Sequence, residues 1–367
     1  MTQILDAQQL RRELHDMPEL ALHEVKTAAY IADKLRSLGI ETVTSVGGTT
    51  GVIGIIRGDE PGPVMMLRAD MDALPFVIDG KPCAIHACGH DGHSAMLLAA
   101  ASRLVGQVKK GTLKLLFQPA EETIEGALAV IRSGMVDDVD IALGAHIRPV
   151  QDLPLGSCCA AVNHTSSTTA YVTIEGRSCH AARPHLGRNA LDIGCAVVQA
   201  VQALWLNPAS AWSVKATQFH ADQGATNSVP ARAKITFDMR ASSNADMQAL
   251  VDMVKNAAEH TALALGGEAH VEFGECCPAA EYDDDLVAEV EESIRTVVGA
   301  DKLAKPCGGG GEDFHHFKLH KPSMKAAYFG VGVGAEPGLH NATMHFDDSK
   351  LVLGVDVFVD MVRRHLG

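Results

Sequence analysis

The feature that most restricts this chain is the alternation of short apolar runs with helix-like periods over its first 146 residues. Residues 6–16 and 24–38 carry helical spacing, with Leu10 and Leu14 in the first and Ala28, Ile31, Ala32, Leu35 and Leu38 in the second. Gly39 stands where the second helix should stop. Strand-type runs follow at 51–57, 64–69, 112–118 and 139–145, with helices expected up to about Val105 and over 124–133. Runs that stay apolar throughout fit strands buried on both faces, so the expected fold is α/β, a sheet sandwiched between helices.

From about residue 165 the rhythm changes. Strands are expected at 170–175, 213–220, 231–239 and 269–273, with helices at 189–206 and 246–265. That order, β-α-β-β-α-β, is the split βαβ arrangement of ferredoxin-like α+β domains. Then α/β character resumes: a helix over 284–298, a strand over 326–331 and a closing helix over 351–364. The expected organisation is one domain made from residues 1–164 and 277–367, with a second, 165–276, inserted into it. A length of 367 residues agrees with two domains.

Bulk properties exclude more than they assign. Hydrophobic content of 47% with 21% charged residues is ordinary for a globular protein. A formal net charge of −14, with no Lys/Arg cluster to relieve it, argues against a nucleic-acid partner. No apolar stretch is long enough to span a bilayer. Met1 to Glu13 lacks a charged-then-apolar signal pattern, so a cytoplasmic protein is expected. The nine cysteines include two adjacent pairs, Cys158-Cys159 and Cys276-Cys277; neighbours rarely bridge each other, so no disulfide scaffold is expected and a reducing compartment fits.

Chemistry gathers where strands are expected to end. Asp70 and Asp72 follow one run, Glu121 and Glu122 another, and His146 a third. Open α/β sheets bind ligands beyond the carboxyl ends of their strands. Between them lies His86-Ala87-Cys88-Gly89-His90-Asp91-Gly92-His93, three imidazoles, a thiol and a carboxylate within eight residues. Imidazole and thiolate match zinc and its neighbours, and the small residues between them let the backbone turn several side chains toward one ion. The competing account is a polar helix start capped by Asp91. Glu121-Glu122 could divide its labour, one carboxylate on a metal and its neighbour taking a proton from water; acid placed to favour a helix dipole is the alternative. His146 could be a satisfied core histidine, and His340, in a loop, a solvated one. Gly308-Gly309-Gly310-Gly311 lacks the Lys-Ser/Thr of a phosphate loop, so nucleotide binding is rejected.

Taken together, these stretches resemble the M20 metallopeptidase/amidohydrolase family, in particular its N-acyl-amino-acid amidohydrolases, the aminoacylase-like, hippurate and auxin-conjugate hydrolases. The likeness rests on Arg11-Arg12-Glu13-Leu14-His15 with Pro18-Glu19-Leu20, Leu67-Arg68-Ala69-Asp70-Met71-Asp72-Ala73-Leu74-Pro75, and the histidine cluster. It continues through Phe117-Gln118-Pro119-Ala120-Glu121-Glu122, His180-Ala181-Ala182-Arg183-Pro184-His185, Gly311-Glu312-Asp313-Phe314 and Leu339-His340. The segment between Pro75 and His86 is several residues shorter than the branch's usual loop.

The resemblance implies a metal-binding catalytic domain with an inserted ferredoxin-like lid and dimerisation domain. It implies two divalent ions per subunit, zinc or manganese, with cobalt or nickel as further possibilities. On that analogy Cys88, His90, Glu122, His146 and His340 are the metal ligands and Glu121 the general base. Asp72 orients a ligand or modulates the base, with Asp70 a second candidate for that role. His180, Asn227 and Arg240 match lid positions that contact substrate; His180 is expected to reach a partner subunit's site, which implies a homodimer. The implied reaction is hydrolysis of the amide bond of an N-acyl amino acid or related small amide. A dipeptidase or carboxypeptidase is the alternative within the family, and a catalytically silent ligand-binding dimer the alternative outside the enzymes. His86 and His93 are expected to orient ligands rather than to be ligands.

Overall fold

The computed structural model describes residues 4–367 and divides into two compact units, one ending at Asn163 and resumed over Glu281–Gly367, the other His164–Ala280. In the first unit, helices α1 (Ala7–His15) and α2 (Val25–Ser37) precede strands β1 (Glu41–Val46), β2 (Gly51–Arg57) and β3 (Glu60–Asp70). Helix α3 (His90–Leu104), strand β4 (Lys110–Gln118), helix α4 (Gly126–Arg132) and strands β5 (Ile141–Pro149) and β6 (Cys158–Cys159) follow. The second unit contributes β7 (Ser166–Glu175), α5 (Ala190–Gln202), β8 (Trp212–His220), β9 (Arg232–Ala241), α6 (Asn244–Ala264) and β10 (Glu268–Phe273). The chain returns to the first unit with α7 (Asp284–Ile294), β11 (Leu303–Ala304), α8 (His315–His320), β12 (Lys325–Ala335) and α9 (Leu351–Leu366).

The larger unit is built on an eight-stranded mixed sheet in the order β1-β2-β4-β3-β5-β12-β6-β11. Its four central strands, β4, β3, β5 and β12, run parallel. Period-two alternation along β3 explains why both faces are covered. Met65, Leu67 and Ala69 pack with α1, α2, α3, α7 and α9, while Met66 joins Leu116, Ala127, Phe314 and Phe317 on the other face. Parallel pairing puts the carboxyl ends of β3 and β4 level, Asp70 beside Gln118, and it carries β5 past His146, which lies opposite Gly330 of β12. His146 is therefore inside a strand that runs on to Pro149, three residues past the point where the apolar run suggested a strand end.

Besides short segments such as β6, β11 and α8, two elements were not anticipated from periodicity. One is β1, an edge strand with little burial. The other is a hairpin, Leu74–Ile78 with Lys81–Ile85, closed by Asp79-Gly80 with φ of 50° and 75°. A two-residue turn with both φ positive is the type I′ geometry that Asp-Gly favours.

In the smaller unit the antiparallel sheet has the order β8-β9-β7-β10, and its elements follow one another as strand, helix, strand, strand, helix, strand. Val172, Ile174, Ile235, Phe237 and Met239 point to α5 and α6, where Ile193, Val197, Leu250, Val254 and Ala258 meet them. Helix α5 ends at Gln202, earlier than the apolar run to Leu206 implied, and its cap residue Ala203 donates its N–H back to the Gln199 and Ala200 carbonyls. No helix among the described residues is long and apolar enough to cross a membrane.

Candidate metal centre

The site lies where the parallel strands of the larger unit end. The turn after β3 carries Asp72, and the loop before α3 carries Cys88, with His90 as the first helical residue. Gly89 between them has φ 91°, and a Cβ there would stand 2.2 Å from Ile147 Cδ1, so the residue that turns Cys88 and His90 together has to be glycine. Beyond β4, Ala120 is left-handed at φ 55° and launches Glu121 and Glu122; beyond β12, His340 is itself left-handed at φ 61°. Both are non-glycine residues in a sparsely populated region, the kind of backbone that surrounding structure must hold in place. At Ala120 that holder is Glu24, fully buried, whose Oε1 accepts the Ala120 N–H at 2.9 Å; at His340 the ring residue's own N–H donates to the Ala87 carbonyl at 2.8 Å.

These segments bring the five sequence-proposed ligands together. Three sets of donor atoms, Cys88–His90–His146, Cys88–Glu122–His340 and His90–Glu121–Glu122, each lie within 4.8 Å of one another. Cys88 is common to two of them. Its Sγ is 3.4 Å from His146 Nε2, His90 Nε2 is 3.7 Å from Glu122 Oε1, and His340 Nε2 is 3.4 Å from that same oxygen. His146 Nδ1 donates to the Ile147 carbonyl, which leaves Nε2 as a lone-pair donor facing the sulfur.

Electrostatics fit a cation. His90 Nε2 and Glu122 Oε1 are buried and make no hydrogen bond, and buried polar atoms without partners call for an explanation, an ion among them. Burial pushes the Cys88 thiol up to about 12, so a thiolate there needs compensating positive charge. Burial, reinforced by His93 and Arg148, holds His146 well below the usual imidazole range and hence neutral. Burial would raise the Glu122 carboxyl, but His340 and His90 outweigh it and keep the group ionised. Thiol, neutral imidazole and carboxylate in such proximity suit divalent zinc or manganese.

Asp72 and Asp70, two residues apart, have different duties. Asp72 Oδ1 is 3.1 Å from His90 Nδ1, and its Oδ2 accepts the Glu122 backbone N–H at 3.1 Å, so it fixes one candidate ligand on each side. Asp70 is held by His93 Nδ1 at 2.6 Å and by Arg68 at 2.6 Å, one layer farther from Glu122. His93 Nε2 in turn accepts the Ile147 N–H, which makes it a brace between β3 and β5.

Sequence reasoning missed a group beneath Glu121. Glu121, Glu312 and Asp313 have carboxylate oxygens within 4.8 Å of one another. Arg68, with a side-chain exposure of 0%, binds Asp70, Glu312 and Asp313 at 2.6, 3.0 and 2.7 Å. Gln118 also donates to both Asp313 oxygens at 2.8 Å. Burial, with Glu312, Glu122 and Asp313 added, drives the Glu121 carboxyl well above its usual range. Glu312-Asp313 stood out in sequence as part of a glycine-rich loop, but no local pattern ties that loop to Arg68 or to Glu121, nearly two hundred residues away. A second clamp, also unforeseen, grips the helix that starts with His90. Asp91, fully buried, is hydrogen-bonded to His15 at 2.7 Å and forms an ion pair with the Arg11 guanidinium at 3.0 Å.

His180, Asn227 and Arg240 lie in the smaller unit. His180 pairs with Ser228 in a two-residue ladder, and the Ala181 N–H donates to the Asn227 carbonyl at 2.9 Å, so His180 and Asn227, both exposed, are neighbours at one short antiparallel ladder. Arg240 is half exposed and grips Asp238 of its own strand at 3.0–3.2 Å. That ladder adjoins the Arg232 end of β9 and Arg240 is at the other end, ~26 Å away along an extended strand. One copy of this unit does not bring the three together.

Residues 66–364 match the family model described as Peptidase family M20/M25/M40. The chain is 32% identical over 96% of its length to a Rhodococcus jostii protein called putative glutamate–cysteine ligase 2-3, of which it spans only 46%. It is 30% identical to thermostable carboxypeptidase 2 of Saccharolobus solfataricus (94% of this chain, 92% of that protein). To hippurate hydrolase of Campylobacter jejuni it is 29% identical, covering 99% of this chain and 98% of the relative. Among solved structures, a Bacillus subtilis protein described as a dinuclear metal-binding peptidase from the M20 family superposes with a TM-score of 0.82 at 26% identity, over 98% of this chain and 97% of that one.

Proposed function

The chain belongs to peptidase family M20/M25/M40, and we propose that it hydrolyses the amide bond of N-acyl amino acids or closely related small amides. The observation that carries this reading is the meeting of Cys88, His90, Glu122, His146 and His340 at the carboxyl ends of parallel strands, with Glu121 beside them. These five residues would hold two divalent ions, zinc or manganese by donor type, with cobalt or nickel as substitutes. When bound, such ions acidify a water and polarise the scissile carbonyl.

The chain's own residues supply the rest. Glu121 takes the proton of the attacking water and passes it to the leaving nitrogen. Its carboxyl is pushed up by burial first and then by Glu312, Glu122 and Asp313, the direction in which a proton shuttle is tuned. Asp72 keeps the His90 ring and the Glu122 backbone in register, and Asp70 acts one contact farther back, through His93. His180 would stabilise the oxyanion, Asn227 would contact the substrate, and the planar fork of Arg240 would receive the free carboxylate of the amino-acid half. Because His180 and Asn227 sit at one end of β9 and Arg240 at the other, the reading includes a homodimer in which the smaller unit of each copy serves its partner.

A second reading, a carboxypeptidase or dipeptidase, draws on the 30% identity to the Saccharolobus carboxypeptidase. The test is a rate comparison on acetyl- and benzoyl-amino acids against dipeptides, with the protein stripped of metal and reloaded with zinc or manganese. Faster release of amino acid from the acyl compounds, abolished by chelation, is the expected result; faster peptide cleavage favours the second reading, and release that is indifferent to metal overturns both.

A further inference from the structure

Away from the candidate metal centre, the larger unit places two thiols face to face. Cys159 Sγ, in β6, lies 3.6 Å from Cys307 Sγ, which sits at the entrance to the loop Gly308-Gly309-Gly310-Gly311. Cys159 is fully buried among Leu153, Val162, Phe314 and Tyr328, whereas Cys307 is partly open to solvent. The two come from segments far apart in sequence but tied by two short parallel ladders, one pairing Ala304 with Cys159 and the other Cys307 with Val162. A disulfide sulfur–sulfur bond is ~2.05 Å, so forming one would draw the two sulfurs together by ~1.5 Å. Cys158, the next residue along β6, belongs to the opposite face of the sheet and its core.

We propose that Cys159 and Cys307 form a peroxide-responsive dithiol, with Cys307 the attacking thiol and Cys159 the resolving one. The Cys307 thiolate displaces hydroxide from a peroxide O–O bond and becomes a sulfenic acid; the Cys159 sulfur then attacks that sulfur, and the departing hydroxide with the Cys159 proton leaves as water. Two thiols are oxidised by two electrons in all, and one hydrogen peroxide is reduced to two waters. The division of labour follows from surroundings. Contact with the Cys159 thiol, then the positive charge of Arg148, lowers Cys307 to about 7, against an opposing push from burial and Asp152; Tyr282 also faces the pair. A thiol with that proton affinity and partial exposure is the reactive type, and its buried neighbour is not.

The bond would bear on the rim. Arg148, two residues beyond His146, donates to the Gly308 carbonyl at 2.6 Å, and the loop that begins there ends at Glu312 and Asp313, beside Glu121. Fixing Cys307 to β6 removes freedom from the glycine loop at its first residue.

The test is thiol mapping of the reduced full-length protein after a graded hydrogen peroxide pulse, with denaturing alkylation and peptide mass analysis. Expected are a protein lighter by two hydrogens, two alkylation sites lost, a cross-linked peptide containing residues 159 and 307, and Cys158 still fully alkylated. The rate should rise with pH through about 7 and level off above it. Cys307→Ser should abolish the cross-link and leave Cys159 alkylatable, and hydrogen exchange over 308–314 should slow on oxidation of the parent but not of C307S. Oxidation that stops at a sulfinic acid on Cys307 with Cys159 still free, or a disulfide joining other cysteines, overturns the proposal. Since the readout is mass, it stands or falls whether or not the protein hydrolyses N-acyl amino acids.

Discussion

The two units of this chain spend their interiors differently. The smaller one has an apolar core, Val172, Ile174, Ile193, Phe237, Met239 and Leu250 among its members, and its buried polar residues among those described are only His164, Ser166 and Thr168. Every buried Asp, Glu, Lys and Arg among the described residues lies in the larger unit, and most of them stand around the carboxyl ends of β3 and β4. Burying ions is expensive, and well-packed apolar side chains would stabilise a fold at least as well. The smaller unit demonstrates that this sequence can build a core without them. The charges at the rim are therefore best understood through chemistry rather than through stability, and the difference between the units can be attacked experimentally.

The largest effect is expected at Glu121. Glu121→Gln should lower turnover by about 10²–10⁴-fold, the usual range for a lost general base, while elemental analysis finds metal content nearly unchanged. If the metal goes instead, Glu121 and Glu122 have each other's roles. Next comes Arg68→Met, which leaves Asp70, Glu312 and Asp313 without their shared cation. Removing one partner of a buried ionic group destabilises by about 3–5 kcal/mol, readable in urea unfolding of the full chain. A neutral outcome would mean that the rim's carboxylates are protonated in the native state.

Asp91 gives a smaller effect with a defined pH window. Burial alone would raise its carboxyl, but His15, His86 and Arg11 hold it at about 2. A folded-state value below the unfolded one, about 3.9, means stability that is complete above pH 4 and lost as pH falls through about 2. The difference amounts to about 2–3 kcal/mol. In the metal-free protein, Asp91→Asn should lower stability at pH 6 and shrink the gap to the parent on acidification; a gap that widens toward low pH would contradict the clamp. The smallest effect belongs to the other unit. Arg240→Ala removes a half-exposed ion pair with Asp238 and should change stability by no more than about 1 kcal/mol. In the same variant KM for N-acyl amino acids should rise, and a large stability loss with unchanged KM would move Arg240 from recognition to structure.

How much of this was legible in the sequence follows the same division. Apolar runs announced β2, β3, β4, β5 and β12, because strands buried on both faces read as near-continuous apolar stretches, even where one charged residue such as Arg68 or Lys114 is buried within them. The edge strand β1, half exposed with mixed composition, gave no such signal. The hairpin at 74–85 was overlooked although its Asp79-Gly80 turn is a recognised local cue. His90 and Cys88 stood out as donor types in a small-residue setting, yet Asp70 and Asp72 were inseparable, since a spacing of two puts both on the same side of an extended chain. Only the third dimension separates them, by setting Arg68 and His93 against one and His90 with the Glu122 backbone against the other. Arg68 itself sits in the middle of an apolar strand, and nothing local says that three carboxylates from distant segments will surround it.

The central claim is that the rim of the larger unit exists to hold divalent ions. The most direct measurement is the metal stoichiometry of the full-length protein, chelated, reloaded with zinc or manganese, and freed of excess by gel filtration. The account predicts about two tightly held ions per chain, reduced in Glu122→Ala and His90→Ala variants that keep the parent's circular dichroism. A folded parent chain that retains neither metal would contradict it.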